Sequence, residues 1–349
     1  MTNPRYAFRV DASNQIGYGH FMRCLTIANA LKKQSIRSCF ICRKETSHLQ
    51  SKVIEMGHEV FNLPTKVDQN FDWKKDATFT NSIIDTLNVS WLIIDHYSID
   101  IKWETELRKN CKNIMVIDDL ANRPHDCDII LDHNPGRTDE SYIDLVPKSS
   151  TILTGLKYAL IRDEFVDLRN ESLKLREDYV LKKILISMGG SDPKNFSTKV
   201  LKQLSKYDFL SNTKISVILG ASSNFLPEVK DELRRMQHES ELYVDVDNMA
   251  KILADQDLVI GAVGISAWER CCLGIPSISM VIADNQISGA KAFHLSGASI
   301  VIDEAFSNDY CLESALKFFS NVNGLRNASK IALNLVDGAG TKRVLKKLL

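Results

Sequence analysis

The stretch RVDASNQIGYGHFMRCLTIANAL, residues 9–31, joins an apolar run, YAFRV (6–10), to a segment with helical spacing. In HFMRCLTIANALKKQ (20–34), Met22, Leu25, Ile27, Ala28 and Leu31 supply the apolar positions of that helix. Between the two lie Gly17, Gly19 and His20. A strand, a glycine turn and a helix in this order open a β-α-β unit. The helix start near His20 offers free N–H groups to an anion, and the glycines let backbone approach it closely. GYGHFMR lacks the third glycine of the dinucleotide fingerprint, and no acidic residue is placed about twenty positions on to hold a ribose.

The alternation continues outward. RSCFIC (37–42), HEVFNL (58–63), VSWLIID (89–95), NIMVIDD (113–119) and DIILD (128–132) read as strands, with helix-patterned segments among them, including ones near 73–87 and 101–110. Residues 162–183 are dense in charge and carry no strand signal, so they are expected to connect two domains, in part as helix. Beyond them, KILISMGG (183–190), KISVILG (214–220), ELYVDV (241–246), DLVIGAVG (257–264), PSISMV (276–281) and ASIVI (298–302) restart the pattern. The expected fold is α/β: two Rossmann-like doubly wound domains, residues 1–165 and 166–349, facing a central cleft that takes the ligand. The tail GTKRVLKKLL reads as a basic amphipathic helix laid on a domain surface.

A chain of 349 residues suits two domains of ordinary size. Its 44 basic and 44 acidic side chains balance, so no global field draws in nucleic acid or a membrane, and neither is an expected partner. MTNPRYAFRVD has no leader-like apolar run, and no stretch approaches the roughly 20 apolar residues that span a bilayer, so the expected compartment is the cytoplasm. No heptad or broad apolar stripe stands out, and a monomer is expected. Cys39 and Cys42 form C-x-x-C on a strand, where positions three apart point to opposite faces; they read as structural thiols and not as a metal pair.

Several residues carry the marks of a site. An imidazole is the side chain suited to proton transfer near neutral pH, so His20 could act as a general base, although a capping or packed ring fits the same position. SMGGSDPKN (187–195) sets Gly189, Gly190 and Ser191 after a strand, as a ligand-facing turn; Ser191 and Asp192 are also good helix caps. GAVGISAWERCCLGIP (261–276) places Gly264 before another helix and Glu269 within it, where an acceptor-only carboxylate can take two hydrogen bonds from a ribose diol. ADNQISGA (283–290) presents Asn285 and Gln286 in a strand-end loop. Asp126-Cys127-Asp128 and Asp245-Val246-Asp247 match the D-x-D string of metal-dependent transferases, but so short a string recurs by chance, and neither metal nor cofactor is expected.

Taken together, RVDASNQIGYGHFMRCLTIANAL, DHYSID (95–100), IDDLANRPHDCDIILD (117–132), MGGSDPKN, GISAWERCCLGIPS and ADNQ resemble, in order and over residues 9 to about 297, the UDP-2,4-diacetamido-2,4,6-trideoxy-β-L-altropyranose hydrolases of pseudaminic acid biosynthesis. More distant relatives are the two-Rossmann-domain (GT-B) glycosyltransferases. The resemblance implies a metal-independent hydrolase with a UDP-sugar substrate and UDP as product. In it His20 would activate water for inverting attack at the anomeric carbon. Asp11 would orient His20 or a sugar hydroxyl, and Tyr97 would lie near the sugar. Gly17, Gly189, Gly190, Ser191, Gly264 and Ser266 would face the phosphates, with Gly19 in the same turn as Gly17. Glu269 would hold the ribose, and Asn285 with Gln286 would contact the sugar or the β-phosphate. His96 and His133 receive no role beyond packing. The competing expectations are a transferase using the same base on an acceptor hydroxyl, a hydrolase for another nucleotide-sugar, and a non-catalytic binder that would have no use for His20.

Overall fold

In a computed structural model, residues 5–11, 18–43, 47–64, 70–282, 286–302 and 309–349 are described. Gly17 and Asn285 lie outside them. The chain forms two compact units, Met1–Leu160 with Ala339–Leu349, and Ile161–Gly338.

In the first unit, β1 (Arg5–Val10), β2 (Arg37–Arg43), β3 (Glu59–Leu63), β4 (Val89–Asp95), β5 (Asn113–Ile117), β6 (Ile129–Asp132) and β7 (Thr151–Thr154) make one sheet in the order β3-β2-β1-β4-β5-β6-β7. All its pairings are parallel. Helices α1 (Gly19–Lys32), α2 (Ser47–Glu55), α3 (Trp73–Leu87) and α4 (Ile101–Leu107) connect the first five strands. The strand β7 was not anticipated: TILT is too short and too polar to announce itself, and it is added at the sheet edge beside β6.

The second unit repeats the plan with β8 (Lys183–Ser187), β9 (Lys214–Leu219), β10 (Ser240–Val244), β11 (Leu258–Ala262), β12 (Ser277–Met280) and β13 (Ser299–Ile302), ordered β10-β9-β8-β11-β12-β13 and again parallel. Its helices are α5 (Asp163–Lys174), α6 (Phe196–Leu204), α7 (Leu226–Arg235), α8 (Met249–Ala254), α9 (Ile265–Cys272), α10 (Ile287–Ser296), α11 (Asp309–Phe319) and α12 (Val322–Leu335). Both sheets are doubly wound, so the expected fold class holds for each unit.

Two boundaries differ from the sequence reading. The charged segment after residue 161 is part of the second unit: Phe165 and Ser172 are buried, and Arg169 and Arg176 of this segment reach the carbonyls of Cys272, Leu273, Leu333, Val336 and Ala254. The last helix, α13 (Gly340–Leu348), returns to the first unit. It packs on α1 with Val344, Leu345 and Leu348 in that unit's core, and the Tyr6 hydroxyl donates to the Leu348 carbonyl at 2.6 Å. An amphipathic pattern shows that a helix has a face to bury and is silent about which core receives it.

Strand alternation sorts the first unit's side chains. Phe8, Val10, Ile93, Met115, Ile117, Ile129 and Leu131 join α1 in one core, while Ala7, Leu92, Ile94, Val116 and Ile130 face Trp103 and Tyr142 in another. Cys42 belongs to the first core and Cys39 to the second, which puts the two thiols of C-x-x-C on opposite faces.

Candidate functional site

In doubly wound sheets, ligands bind outside the carboxyl ends of the strands where strand order reverses. In the first unit that point lies between β1 and β4, and Asp11, His20, Asp95 and Tyr97 all come from chain that leaves these two strands.

The period-2 alternation divides the carboxyl edge into two networks. On the α1 face, continuing Ile93, Ile117 and Leu131, stand Asp95, Asp119 and His133. Helix α1 starts at Gly19 with no side-chain cap from Tyr18 and no acid in its first turn, and it delivers His20 and Arg23 onto this row. His20 Nδ1 lies 2.6 Å from Asp95 Oδ1. A carboxylate only accepts, so the contact with Asp95 uses a proton on Nδ1; Arg23 Nη2 also lies 3.0 Å from this nitrogen. Arg23 closes the arrangement, with Nη2 2.7 Å from Asp95 Oδ1 and Nη1 3.0 Å from Asp119 Oδ2. Burial opposes ionisation of Asp95, yet Arg23 and His20 outweigh it and hold the carboxyl well below the usual range. Asp119 is likewise lowered against burial by Arg23, His20 and the Tyr97 hydroxyl. Tyr97 stands edge-on to His20, with ring centroids 4.5 Å apart. Two buried polar atoms here have no partner among the described residues, Asp119 Oδ1 and His133 Nδ1. Burial and then Arg23 push the His133 ring down to about 3, so it is neutral.

Asp11 belongs to the opposite face. Its carboxylate receives Arg9 at 2.8 and 3.0 Å, Arg43 Nε at 2.7 Å, the Arg43 backbone N–H at 2.8 Å and His96 Nε2 at 3.0 Å. Arg9 also grips Asp76 at 2.6 and 3.0 Å. The expectation that Asp11 orients His20 is therefore corrected. All its described partners are on the other side of the sheet, and Asp95 is the carboxylate at His20. Sequence reasoning quoted Asp95 within DHYSID without assigning it a role, and missed Arg23 and Asp119. The available signal was Asp95 as the first polar residue after VSWLII, in phase with Ile93.

In the second unit the reversal lies between β8 and β11, and the glycine turns follow these two strands. Gly189 (φ +86°) and Gly190 are exposed, and nothing lies within 4 Å of where a Gly189 side chain would start. The Gly190 carbonyl accepts from the Gly220 N–H, and the Ser191 carbonyl from the Ser223 hydroxyl. The cap is Asp192 and not Ser191: its carboxylate takes the N–H groups of Phe196 and Ser197 at 2.9 and 2.8 Å, so two donors of the first turn of α6 are already taken. By contrast, α9 begins at Gly264 (φ +154°) with no side-chain cap and no acid in its first turn. Gln286 Nε2 lies 3.9 Å from the place a Gly264 Cβ would occupy, so the structure brings these two together; Gln286 Oε1 accepts from the Ile282 N–H. Glu269 is buried and accepts from Arg162 Nε at 2.7 Å. Burial raises its carboxyl, and Arg162, which the sequence reading missed, opposes that.

The D-x-D strings are structural where described. Arg108 binds Asp126 at 3.2 Å and Asp128 at 2.7 Å, and Asp245 receives the Ala221 N–H. Among the described residues no three His, Cys, Asp or Glu side chains converge as metal ligands, and no helix is long and apolar enough to cross a membrane.

Residues 184–334 match the glycosyltransferase family 28 C-terminal domain. An uncharacterized protein of Methanocaldococcus jannaschii is 29% identical over 81% of this chain, which spans only 56% of that protein. MurG of Acinetobacter baumannii has the same fold: TM-score 0.71 at 14% identity, covering 98% of this chain and 99% of that one. The UDP-2,4-diacetamido-2,4,6-trideoxy-β-L-altropyranose hydrolase of Campylobacter jejuni is 31% identical over 72% of this chain and 82% of its own. At that identity and coverage, with two doubly wound units, the chain belongs to the family of UDP-2,4-diacetamido-2,4,6-trideoxy-β-L-altropyranose hydrolases.

Proposed function

We propose that this protein hydrolyses UDP-2,4-diacetamido-2,4,6-trideoxy-β-L-altropyranose to UDP and the free sugar. The observation that carries the reading is the His20–Asp95 pair at the carboxyl edge of the sheet, Nδ1 2.6 Å from Oδ1; in this reading Nδ1 donates to the carboxylate and Nε2 is the base. In the proposed step, Nε2 takes a proton from water as its oxygen attacks the anomeric carbon. The bond from that carbon to the diphosphate oxygen breaks, UDP leaves with the electron pair, and the configuration inverts. Asp95 stabilises the imidazolium that forms, and Tyr97 holds the ring's orientation from its edge. Asp119 Oδ1 and His133 Nδ1, both without partners among the described residues, are offered to sugar hydroxyl or acetamido groups. Gly189, Gly190, Gly264, Ser266 and Gln286 form the diphosphate end, and Glu269 takes the ribose. A base positioned this way contributes about 10²–10⁴ in rate.

A transferase would use the same pair on an acceptor hydroxyl, and the match of residues 184–334 to a glycosyltransferase domain favours that second reading. The deciding experiment supplies the UDP-sugar with EDTA, no acceptor, and water enriched in oxygen-18. UDP release with label in the sugar is expected, and is lost in His20→Ala while UDP affinity stays within about twofold. Release that waits for an acceptor makes the protein a transferase, and full activity of His20→Ala removes the mechanism.

A further inference from the structure

Among the described residues, three arginines of the second unit, Arg169, Arg176 and Arg270, bond only to uncharged groups, and they divide into two kinds. Arg169 and Arg176 hold backbone carbonyls near the C-terminal ends of helices, including those of Cys272 and Leu273 at the end of α9 and Ala254 at the end of α8. A cation suits these positions, where the helix dipole is negative. Arg270 does the reverse. It is 1% exposed and reaches back one turn to the start of α9, with Nη1 3.3 Å from the Ser266 hydroxyl and Nη2 3.1 Å from the Ala262 carbonyl, 3.4 Å from the Ser279 hydroxyl. Among the described residues no carboxylate bonds it, and its Nε has no partner. The adjacent acid, Glu269, is turned to Arg162. A side chain at Gly261 would lie 3.1 Å from Nη1 and 2.7 Å from the Ser187 carbonyl, so a glycine makes room for the guanidinium under the turn.

A buried cation without an acid is unfavourable, and a cation at the positive end of a helix adds to the cost. An anion on the turn is attracted by both the guanidinium and the helix dipole, and those attractions offset the two costs. We propose that Arg270 is the buried counter-charge of a phosphate group bound at Gly264–Ser266. It acts as a positioning residue: by donating to Ser266 Oγ it turns the Ser266 hydroxyl hydrogen outward, toward the diphosphate of a nucleoside diphosphate. The inference rests on the proposed UDP site and adds to it the group that makes the site selective for charge.

The test compares UDP with uridine by calorimetric titration of the full chain. In Arg270→Met, UDP affinity is expected to fall tenfold or more while uridine affinity stays within twofold. Arg270→Lys keeps the charge and is expected to retain most of the UDP preference. Ser266→Ala, which leaves the arginine in place, is expected to lose about three- to fivefold for UDP alone, and it carries the test should Arg270→Met not fold. Equal loss of UDP and uridine in the folded variants, or an unchanged ratio, overturns the proposal and leaves Arg270 as a structural tie. Wild-type protein that binds no UDP overturns the nucleotide-sugar reading itself, a result distinct from any behaviour of the variants.

Discussion

At His20 the neighbour that matters is Asp95, since a carboxylate 2.6 Å from Nδ1 decides which ring nitrogen can take a proton. Asp95→Asn removes that bias. Its kcat is expected to fall about 10²–10⁴-fold, the scale of general-base catalysis, with UDP affinity within twofold. An unchanged kcat would show that the tautomer is set elsewhere. Asp11 makes the opposite case. It is a buried carboxylate accepting from Arg9, Arg43 and His96, and breaking a buried ion pair costs about 3–5 kcal/mol. Asp11→Asn is therefore expected to lower Tm far more than it lowers kcat of the folded fraction. A normal Tm with lost turnover would return Asp11 to the catalytic machinery.

Among the elements, α13 shows how little a periodic pattern says about its partner. Gly340 opens the helix against the backbone of Ala159: a Cβ there would stand 2.2 Å from the Ala159 carbonyl oxygen and 2.6 Å from its nitrogen. Gly340→Ala is expected to lift α13 off α1 and expose Val344, Leu345 and Leu348. At about 1.5–3 kcal/mol for each buried aliphatic side chain, most of a typical domain's stability is at stake. Thermal melting and limited proteolysis check it. A variant that melts like wild type, with the tail protected, would mean the Ala159 segment yields. The charged segment around α5 teaches a related lesson. Its arginines look like linker residues in sequence, but in the fold they hold helix-end carbonyls that would otherwise lack partners.

For the molecule as a whole, buried titratable groups set the response to acid. Burial holds His133 at about 3, and burial with Lys32 holds His58 at about 4, against roughly 6.5 in an unfolded chain. Between pH 6.5 and about 4 the unfolded chain binds protons at both rings and the folded chain does not, so stability falls as pH falls. Asp132, pushed up to about 6 by burial, works the other way in the same window. The depressed Asp11 and Asp95 contribute loss only below about pH 4, where the unfolded carboxyls begin to titrate. Denaturant unfolding at pH 7 and pH 4.5 is expected to show lower stability at the acid end. A His58→Gln/His133→Gln double variant should lose less stability there than the wild type, with His96 and His238, also lowered by burial, supplying the rest. An equal loss in that variant would assign the acid response to other groups.

The sequence by itself determined what depends on local spacing. Twelve of the thirteen strands, two doubly wound units, the glycine turns after β1, β8 and β11, and His20 at a helix start all follow from periodicity and backbone preference. The motif order also carried the family. Only the tertiary structure decided which carboxylate meets His20, because Asp11 and Asp95 end adjacent strands on opposite faces and the sheet register selects between them. It also decided where the tail helix docks, which cation meets Glu269, and that Arg270 turns back to the start of its own helix. Those outcomes turn on contacts between residues distant in sequence, or on side-chain direction, and neither is written in the spacing of one chain.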